Sequence, residues 1–454
     1  MQRALRLLLI AGLLAAVVGC SSSPNVLSPR GELIAPASFA GREAQLDGLL
    51  GQPQLDPAGV LDARAALSDR LDLARLLSLA AARNPELRRL RADILAAEGH
   101  LQQAGAGPNP QLDLAISRIP TGPAQSLGDT DLRAGVRQRL PVTGRTGIAS
   151  REATHMLSAR EALALARSRE LQLQVRQEFV RYHTAFEIAR LREQIVKERQ
   201  SQVDIVQRET EQGRRPTSAL FDARDLLARA TLAQLTATDL VTDARTALRQ
   251  AVGDQDFVPG PPPLEWQLPV QPLYLDRVRE TSWVVGHPLV IAAGYEISRA
   301  EAAIDAAGVS HVDDPELRVG YQYTGIDDGH WLTAQLLVPL PVFNQSAGAV
   351  REMRAKEVAA RARRDEAVIG LLARLERSLR HRDAAEARLQ QYEQHLLPAA
   401  RQRLELAERQ AVSRVSTTEL TDVKIALLDT ECGMWECRRD LAIAIDELLA
   451  LLGE

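Results

Sequence analysis

The stretch Leu132-Arg133-Ala134-Gly135-Val136-Arg137-Gln138-Arg139-Leu140-Pro141-Val142 carries two signals at once. Leu132, Ala134, Val136 and Leu140 alternate with Asp131, Arg133, Arg137 and Arg139, which is the period of two of a strand with one apolar and one polar side. Its closing residues Arg139-Leu140-Pro141-Val142 return as Pro339-Leu340-Pro341-Val342, a shift of 200. Ahead of the second motif, Leu332, Ala334, Leu336, Val338 and Leu340 alternate with Thr333 and Gln335. Each copy holds another alternating run upstream. In one, Leu112, Leu114 and Ile116 alternate with Gln111, Asp113 and Ser117; in the other, Leu317, Val319, Tyr321 and Tyr323 alternate with Glu316, Arg318 and Gln322. The pattern predicts four strands of about ten residues, in two hairpins at 111–141 and 315–341.

The duplication extends outward on both sides. Asn84-Pro85 answers His287-Pro288, Ala104-Gly105 answers Ala307-Gly308, and Gly253 answers Gly453. From the Pro-x-Leu that opens each hairpin to its Leu-Pro-Val there are 31 residues in the first copy and 26 in the second, a difference that belongs in a loop. Helices of about 20 residues are expected over Pro85 to Ala104 and Pro288 to Ala307, each closed by Gly.

After each hairpin comes a long helical pair, at 144–252 and 345–452. From Ile148 to Gln212 there are 65 residues without Gly or Pro, enough for a helix of roughly 100 Å at about 1.5 Å per residue. Val175, Phe179, Tyr182, Phe186 and Ala189 step by 4 and 3 as a coiled-coil seam does. The matching run from Ala349 to Ser413 holds Gly370 and Pro398, which predict a break or kink partway. In the last helix Leu420, Val423, Leu427, Thr430, Met434, Cys437, Leu441, Ala444, Leu448 and Leu451 form a continuous heptad, and the positions 200 earlier are apolar at nine of ten places.

The chain has 454 residues, 45% apolar, 25% charged and only 4% aromatic, a long-helix composition with ample core. A formal charge of −4 gives no general attraction to phosphate, which argues against a nucleic-acid partner. Arg3 and Arg6 precede an apolar run from Leu7 to Val18, too short to span a membrane but right for a secretory signal over 1–19. Val17-Val18-Gly19-Cys20 resembles a bacterial lipobox, making Cys20 the lipidated N-terminus of a tether over 20–71; the other reading is an ordinary signal peptide with a chance Cys. Cys432 and Cys437 are five apart on one expected helix and cannot easily bond to each other. They read as packed thiols, or as half of a metal pair lacking nearby partners. No His-Glu-x-x-His, phosphate loop or Gly-x-Ser-x-Gly occurs, so no catalytic or cofactor site is expected.

Strands of this length, apolar on one side and charged on the other, suit an outer-membrane barrel as well as a soluble sheet packed on helices. Four strands cannot close a barrel, so the membrane reading requires several chains to pool theirs. Tyr321, Tyr323 and Trp331 lie near the second hairpin loop, where an aromatic belt would sit.

With the duplicated order of helix, hairpin and long helical pair, with Asn84-Pro85-Glu86-Leu87, Pro108-Asn109-Pro110-Gln111-Leu112 and Leu340-Pro341-Val342-Phe343-Asn344, and behind the lipobox, the chain resembles the TolC family of outer-membrane efflux channels. Leu140-Pro141-Val142-Thr143-Gly144 and Pro341-Val342-Phe343-Asn344 look most like its CzcC and CusC heavy-metal branch. The resemblance implies repeats at 72–260 and 261–454 and a mainly α fold. In a homotrimer, twelve strands would form one transmembrane β-barrel and the helices a periplasmic tunnel. It implies that the turns at Gly213, Arg214 and Pro216 and at Ser413, Arg414 and Ser416 meet a periplasmic adaptor bound to an inner-membrane RND-type pump. Family members often carry Gly at the second turn, where this chain has Ser413. Glu419 and Asp422 match by position the acidic residues that narrow the periplasmic entrance, where rings of carboxylates would attract cations; the plainer reading is a solvated helix face. The expected function is a passive exit duct in the outer membrane for metal cations or other small toxic compounds. The alternative is a periplasmic adaptor or a lipid-anchored coiled-coil scaffold, for which one helical hairpin would suffice.

Overall fold

A computed structural model describes residues 26–27, 33–34, 57–119, 130–263, 282–327, 329–411 and 417–452. The signal segment, Cys20 and the second turn with Ser413, Arg414 and Ser416 lie outside the described residues. In chain order the elements are β1 (Val26–Leu27), β2 (Leu33–Ile34), α1 (Pro57–Asp69), α2 (Leu73–Arg83), α3 (Pro85–Gly105), β3 (Gln111–Ser117), β4 (Asp131–Arg139), α4 (Arg145–Glu211) and α5 (Thr217–Val252). The second copy follows with α6 (Ser282–Gly286), α7 (Pro288–Val309), β5 (Glu316–Thr324), β6 (Gly329–Leu337), α8 (Ala347–Gln391), a π-turn (Tyr392–Leu396), α9 (Leu397–Ala411) and α10 (Thr417–Leu452). No described helix is long and apolar enough to cross a membrane.

Residue contacts divide the chain into two units, each drawn from both copies. One contains Asp93–Glu161 and Ala292–Arg364, and with them the four long strands. These strands form one antiparallel sheet in the order β3-β4-β5-β6. The two expected hairpins are present, and β4 pairs with β5 to join them, with Gly135 opposite Gly320 and Val136 opposite Val319. The Leu-Pro-Val turn of the first copy is tied to the entry of the second copy's hairpin. Leu140 N–H donates to Pro315 O at 2.9 Å, and Thr143 donates to Asp314 Oδ1 from its backbone N–H at 3.0 Å and its hydroxyl at 2.6 Å.

The other unit contains Leu46–Ala92, Ala162–Ile291 and Asp365–Glu454. Here the heptad positions of α5 and α10 are buried or half-buried, with Ala223, Ala237, Leu248 and Ala251 on one helix and Met434, Cys437, Leu441, Ala444 and Leu448 on the other. Each such leucine withdrawn from water contributes about 1.5–3 kcal/mol. On α4, Val175, Phe179 and Tyr182 are buried as the seam requires. The chain leaving α5 crosses this part of the helix. Tyr182 Oη donates to Gly260 O at 3.1 Å, and the His183 ring nitrogen Nε2 lies 2.9 Å from Pro263 O, so the polar ends of two buried side chains are satisfied by a segment without secondary structure. Arg64 grips the same region through Asp254, at 2.5 and 2.7 Å.

Asn84 ends α2 and begins α3: its N–H donates to Ala80 O, its Oδ1 accepts from Glu86 N–H at 2.8 Å, and its Nδ2 donates to Ala251 O at 3.0 Å. Gly253 packs onto that joint at φ 74°, and a Cβ there would stand 2.6 Å from Pro85 Cδ, so both backbone angle and space require glycine.

The break expected at Gly370 or Pro398 occurs only near the proline. Helix α8 runs unbroken through Gly370, and the chain widens into the π-turn just before Pro398, where Leu397 N–H reaches back to Tyr392 O. Proline has no N–H to give the preceding turn, and one wider turn accommodates the loss without ending the helix. The turn also seats Tyr392 against α10 at Gly433, where a Cβ would meet the Tyr392 ring at 2.8 Å.

Candidate functional site

The sheet has two chemically distinct faces. Paired residues of antiparallel strands share a face, so the register places Leu112, Leu114 and Ile116 of β3, Leu132, Ala134 and Val136 of β4, Leu317, Val319, Tyr321 and Tyr323 of β5, and Leu332, Ala334 and Leu336 of β6 together. This apolar face is uncovered in the chain: Leu112 is 69% exposed, Leu114 68% and Leu332 81%. A contiguous apolar surface of that kind marks a contact with lipid or protein rather than with water. Strands β3 and β6 are the two edges of the sheet.

The opposite face is polar and dominated by arginine. Arg133 donates to Gln322 Oε1 at 3.0 Å, Arg137 stands 3.4 Å from Glu316, and Arg318 stands 3.6 Å from Asp113. Trp331 also lies on this face, opposite Gln322, away from Tyr321 and Tyr323. The expected aromatic group is therefore divided. On the apolar face it consists of the two tyrosines with His330, whose Nδ1 meets Tyr321 Oη and whose ring lies 5.3 Å from that of Tyr323. Strict alternation from Thr333 back to Trp331 could have revealed this.

At the first helical turn, Gly213 adopts φ 70° and Arg214 N–H donates to Glu209 O at 2.8 Å, closing α4. Arg214 is exposed. Arg215 pairs with Glu209 at 2.7 Å and donates to Thr418 Oγ1 at 3.1 Å, tying this turn to the start of α10. Pro216 is the extended residue from which α5 begins.

Glu419, Asp422, Ala426 and Asp429 share an exposed face of α10, as their spacing implies. Two of the acids are engaged by α4. Asp422 accepts from Arg199 at 2.5 Å and from Gln202 at 3.3 Å, and Asp429 accepts from Arg192 at 2.5 Å. Both partners are seven residues apart on their helices, so the pairs form two rungs between antiparallel neighbours one heptad apart. These bonds were not visible in the sequence, because they depend on the register of segments more than 200 residues apart.

Cys437 packs in a cluster with Ala385, Leu389, Leu397, Met434 and Leu441. Burial pushes both thiols up, Cys432 to about 11, so each is held as a neutral packing group.

Residues 76–254, which make up most of the first repeat, match the model of the outer membrane efflux protein family. No curated protein matches the chain. Among solved structures, the chain is similar to CusC (TM-score 0.70, 17% identity, covering 84% of this chain and 91% of that one). It is also similar to the outer-membrane protein VceC of Vibrio cholerae (0.65, 17%, 84% and 96%) and to the outer-membrane channel MtrE of Neisseria gonorrhoeae (0.67, 16%, 84% and 88%). The fold is that of these outer-membrane proteins: long helical pairs with a four-stranded antiparallel sheet. The matched family is one of efflux proteins, not of enzymes.

Proposed function

We propose that the chain is one protomer of a homotrimeric duct in the bacterial outer membrane, the exit component of a tripartite efflux pump. The observation that carries this reading is the uncovered apolar face of a sheet with two open edges. Lipid cannot tolerate an open edge, and water does not tolerate that face, so closure of several such sheets into a barrel satisfies both demands. The family match over the first repeat and the likeness to CusC, VceC and MtrE support the same reading.

In this duct the apolar face meets lipid, with Tyr321 and Tyr323 at its border, and the arginine face lines water. The turn at Gly213, Arg214 and Pro216, with its counterpart at Ser413, Arg414 and Ser416, docks onto a periplasmic adaptor that couples the duct to an inner-membrane RND-type pump. Cys20 carries the lipid anchor. Glu419 and Asp422 form the cation-attracting aperture, and the chain belongs with the heavy-metal branch, taking metal cations or other small toxic compounds as cargo. Conduction is passive and uses no cofactor.

Single-channel recording of the purified protein in a planar bilayer tests the proposal. Discrete, long-lived conductance steps are expected, with cation preference reduced by Glu419→Gln combined with Asp422→Asn. A folded protein that never conducts would refute the duct. Unaltered selectivity in the double variant would remove these two residues from the aperture.

A further inference from the structure

The polar face of the sheet carries more arginine than its carboxylates can neutralise. Along the strands the face reads, row by row, Ala115, Arg133, Gln322 and Trp331; then Asp113, Gly135, Gly320 and Thr333; then Gln111, Arg137, Arg318 and Gln335; and finally Arg139, Glu316 and Leu337. Arg137 and Arg318 stand directly opposite each other in register. Like charges in that relation repel, and only the shared Glu316 stands between them.

Each carboxylate of the face is already engaged. Glu316 lies between Arg137 and Arg318, at 3.4 and 3.8 Å, Asp113 is 3.6 Å from Arg318, and Asp131 is 3.3 Å from Arg118. Two exposed arginines are in excess. Arg133 bonds the neutral amide of Gln322. Arg139 is paired in register with Glu316, which Arg137 and Arg318 already share, and its attraction to Asp314 is divided with Arg145 and with the two bonds that Thr143 donates there. Between the arginine rows, Gly135 and Gly320 face each other without side chains, their backbones in close contact. Asp327 belongs to the turn between β5 and β6, outside these rows.

We propose that the strand-built part of the duct is an anion-attracting band, with Arg133, Arg137, Arg139 and Arg318 as its selectivity residues. Its preferred solutes carry carboxylate or phosphate groups, which planar guanidinium groups bind well. The inference rests on the duct reading, because it needs the polar face to line water. The band is opposite in sign to Glu419 and Asp422, so cargo of one charge alone is not what both surfaces favour.

The test is the reversal potential of the purified full-length protein in a planar bilayer under a potassium chloride gradient, with pyrophosphate added as a blocking probe. Arg133→Gln combined with Arg139→Gln should lower the chloride-to-potassium permeability ratio at least twofold and weaken pyrophosphate block. Arg133→Lys with Arg139→Lys should restore the permeability ratio, which charge sets, but only part of the pyrophosphate block, to which the planar guanidinium contributes. Both arginines are exposed and, among the described residues, neither forms a carboxylate ion pair, so these variants are expected to fold. A conducting Gln variant whose ratio and block equal those of the unaltered protein would overturn the band while leaving the duct intact. A folded, unaltered protein without conductance would overturn both.

Discussion

At the matching joints of the two copies, different residues perform the same cap. Asn84 Oδ1 accepts from Glu86 N–H at 2.8 Å, and His287 Nδ1 accepts from Leu289 N–H at 3.2 Å, in each case just before the proline that begins a helix. An imidazole nitrogen accepts only while unprotonated. Burial, reinforced by Arg169 and Arg374, holds His287 down to about 4, which keeps it neutral. As pH falls from 6.5 to about 4 the unfolded chain takes up a proton here that the folded chain refuses, so stability present above 6.5 is lost toward pH 4. Buried Asp446, raised from 3.8 to about 6, slopes the other way over an overlapping range, so the difference between variants isolates the histidine. His287→Asn should keep the cap and flatten the acid loss by about 1–2 kcal/mol, whereas His287→Ala should cost about 1 kcal/mol even at pH 8. Urea unfolding at pH 4.5 and 8 measures both. An Asn variant as acid-sensitive as the unaltered chain would refute this role. The pairing of Asn84-Pro85 with His287-Pro288 was legible in the sequence; the shared cap was not, because it needs the ring orientation.

Among the elements, the strands and the heptad helices were the most legible, since a period of two or of seven records which side is buried. What eluded the pattern depended on distant partners. The π-turn forms beside Pro398 and seats Tyr392 against Gly433, while the helix runs through Gly370 unbroken. The join of β4 to β5 brings together strands separated by the whole first helical pair and by α6 and α7, which no local signal announces. The two sheet faces give a direct contrast. Leu114→Arg places a charge on the face assigned to lipid and should cost about 2–4 kcal/mol near the bilayer centre, sharply reducing the protein recovered in outer membranes. Ala115→Glu, one residue along on the polar face and directly opposite Arg133, should leave recovery unchanged. Equal recovery of both variants would contradict the orientation of the sheet.

For the whole molecule, the central claim is closure. A sheet ordered β3-β4-β5-β6 satisfies its edges when β6 of one copy meets β3 of the next, and a ring closes where an open chain of copies would continue to grow. Conductance reports this indirectly; a covalent bond across the joint reports it directly. The most direct measurement places one cysteine on β3, at Asp113 or Ala115, and one on β6, at Thr333 or Gln335, in a chain whose Cys432 and Cys437 are replaced by alanine. The protein is oxidised in its native membranes and sized without reductant. The account predicts, for at least one pair, a covalent species of three chains and nothing larger. A ladder extending beyond three, or no bond between chains at any pair, would contradict the pooled barrel.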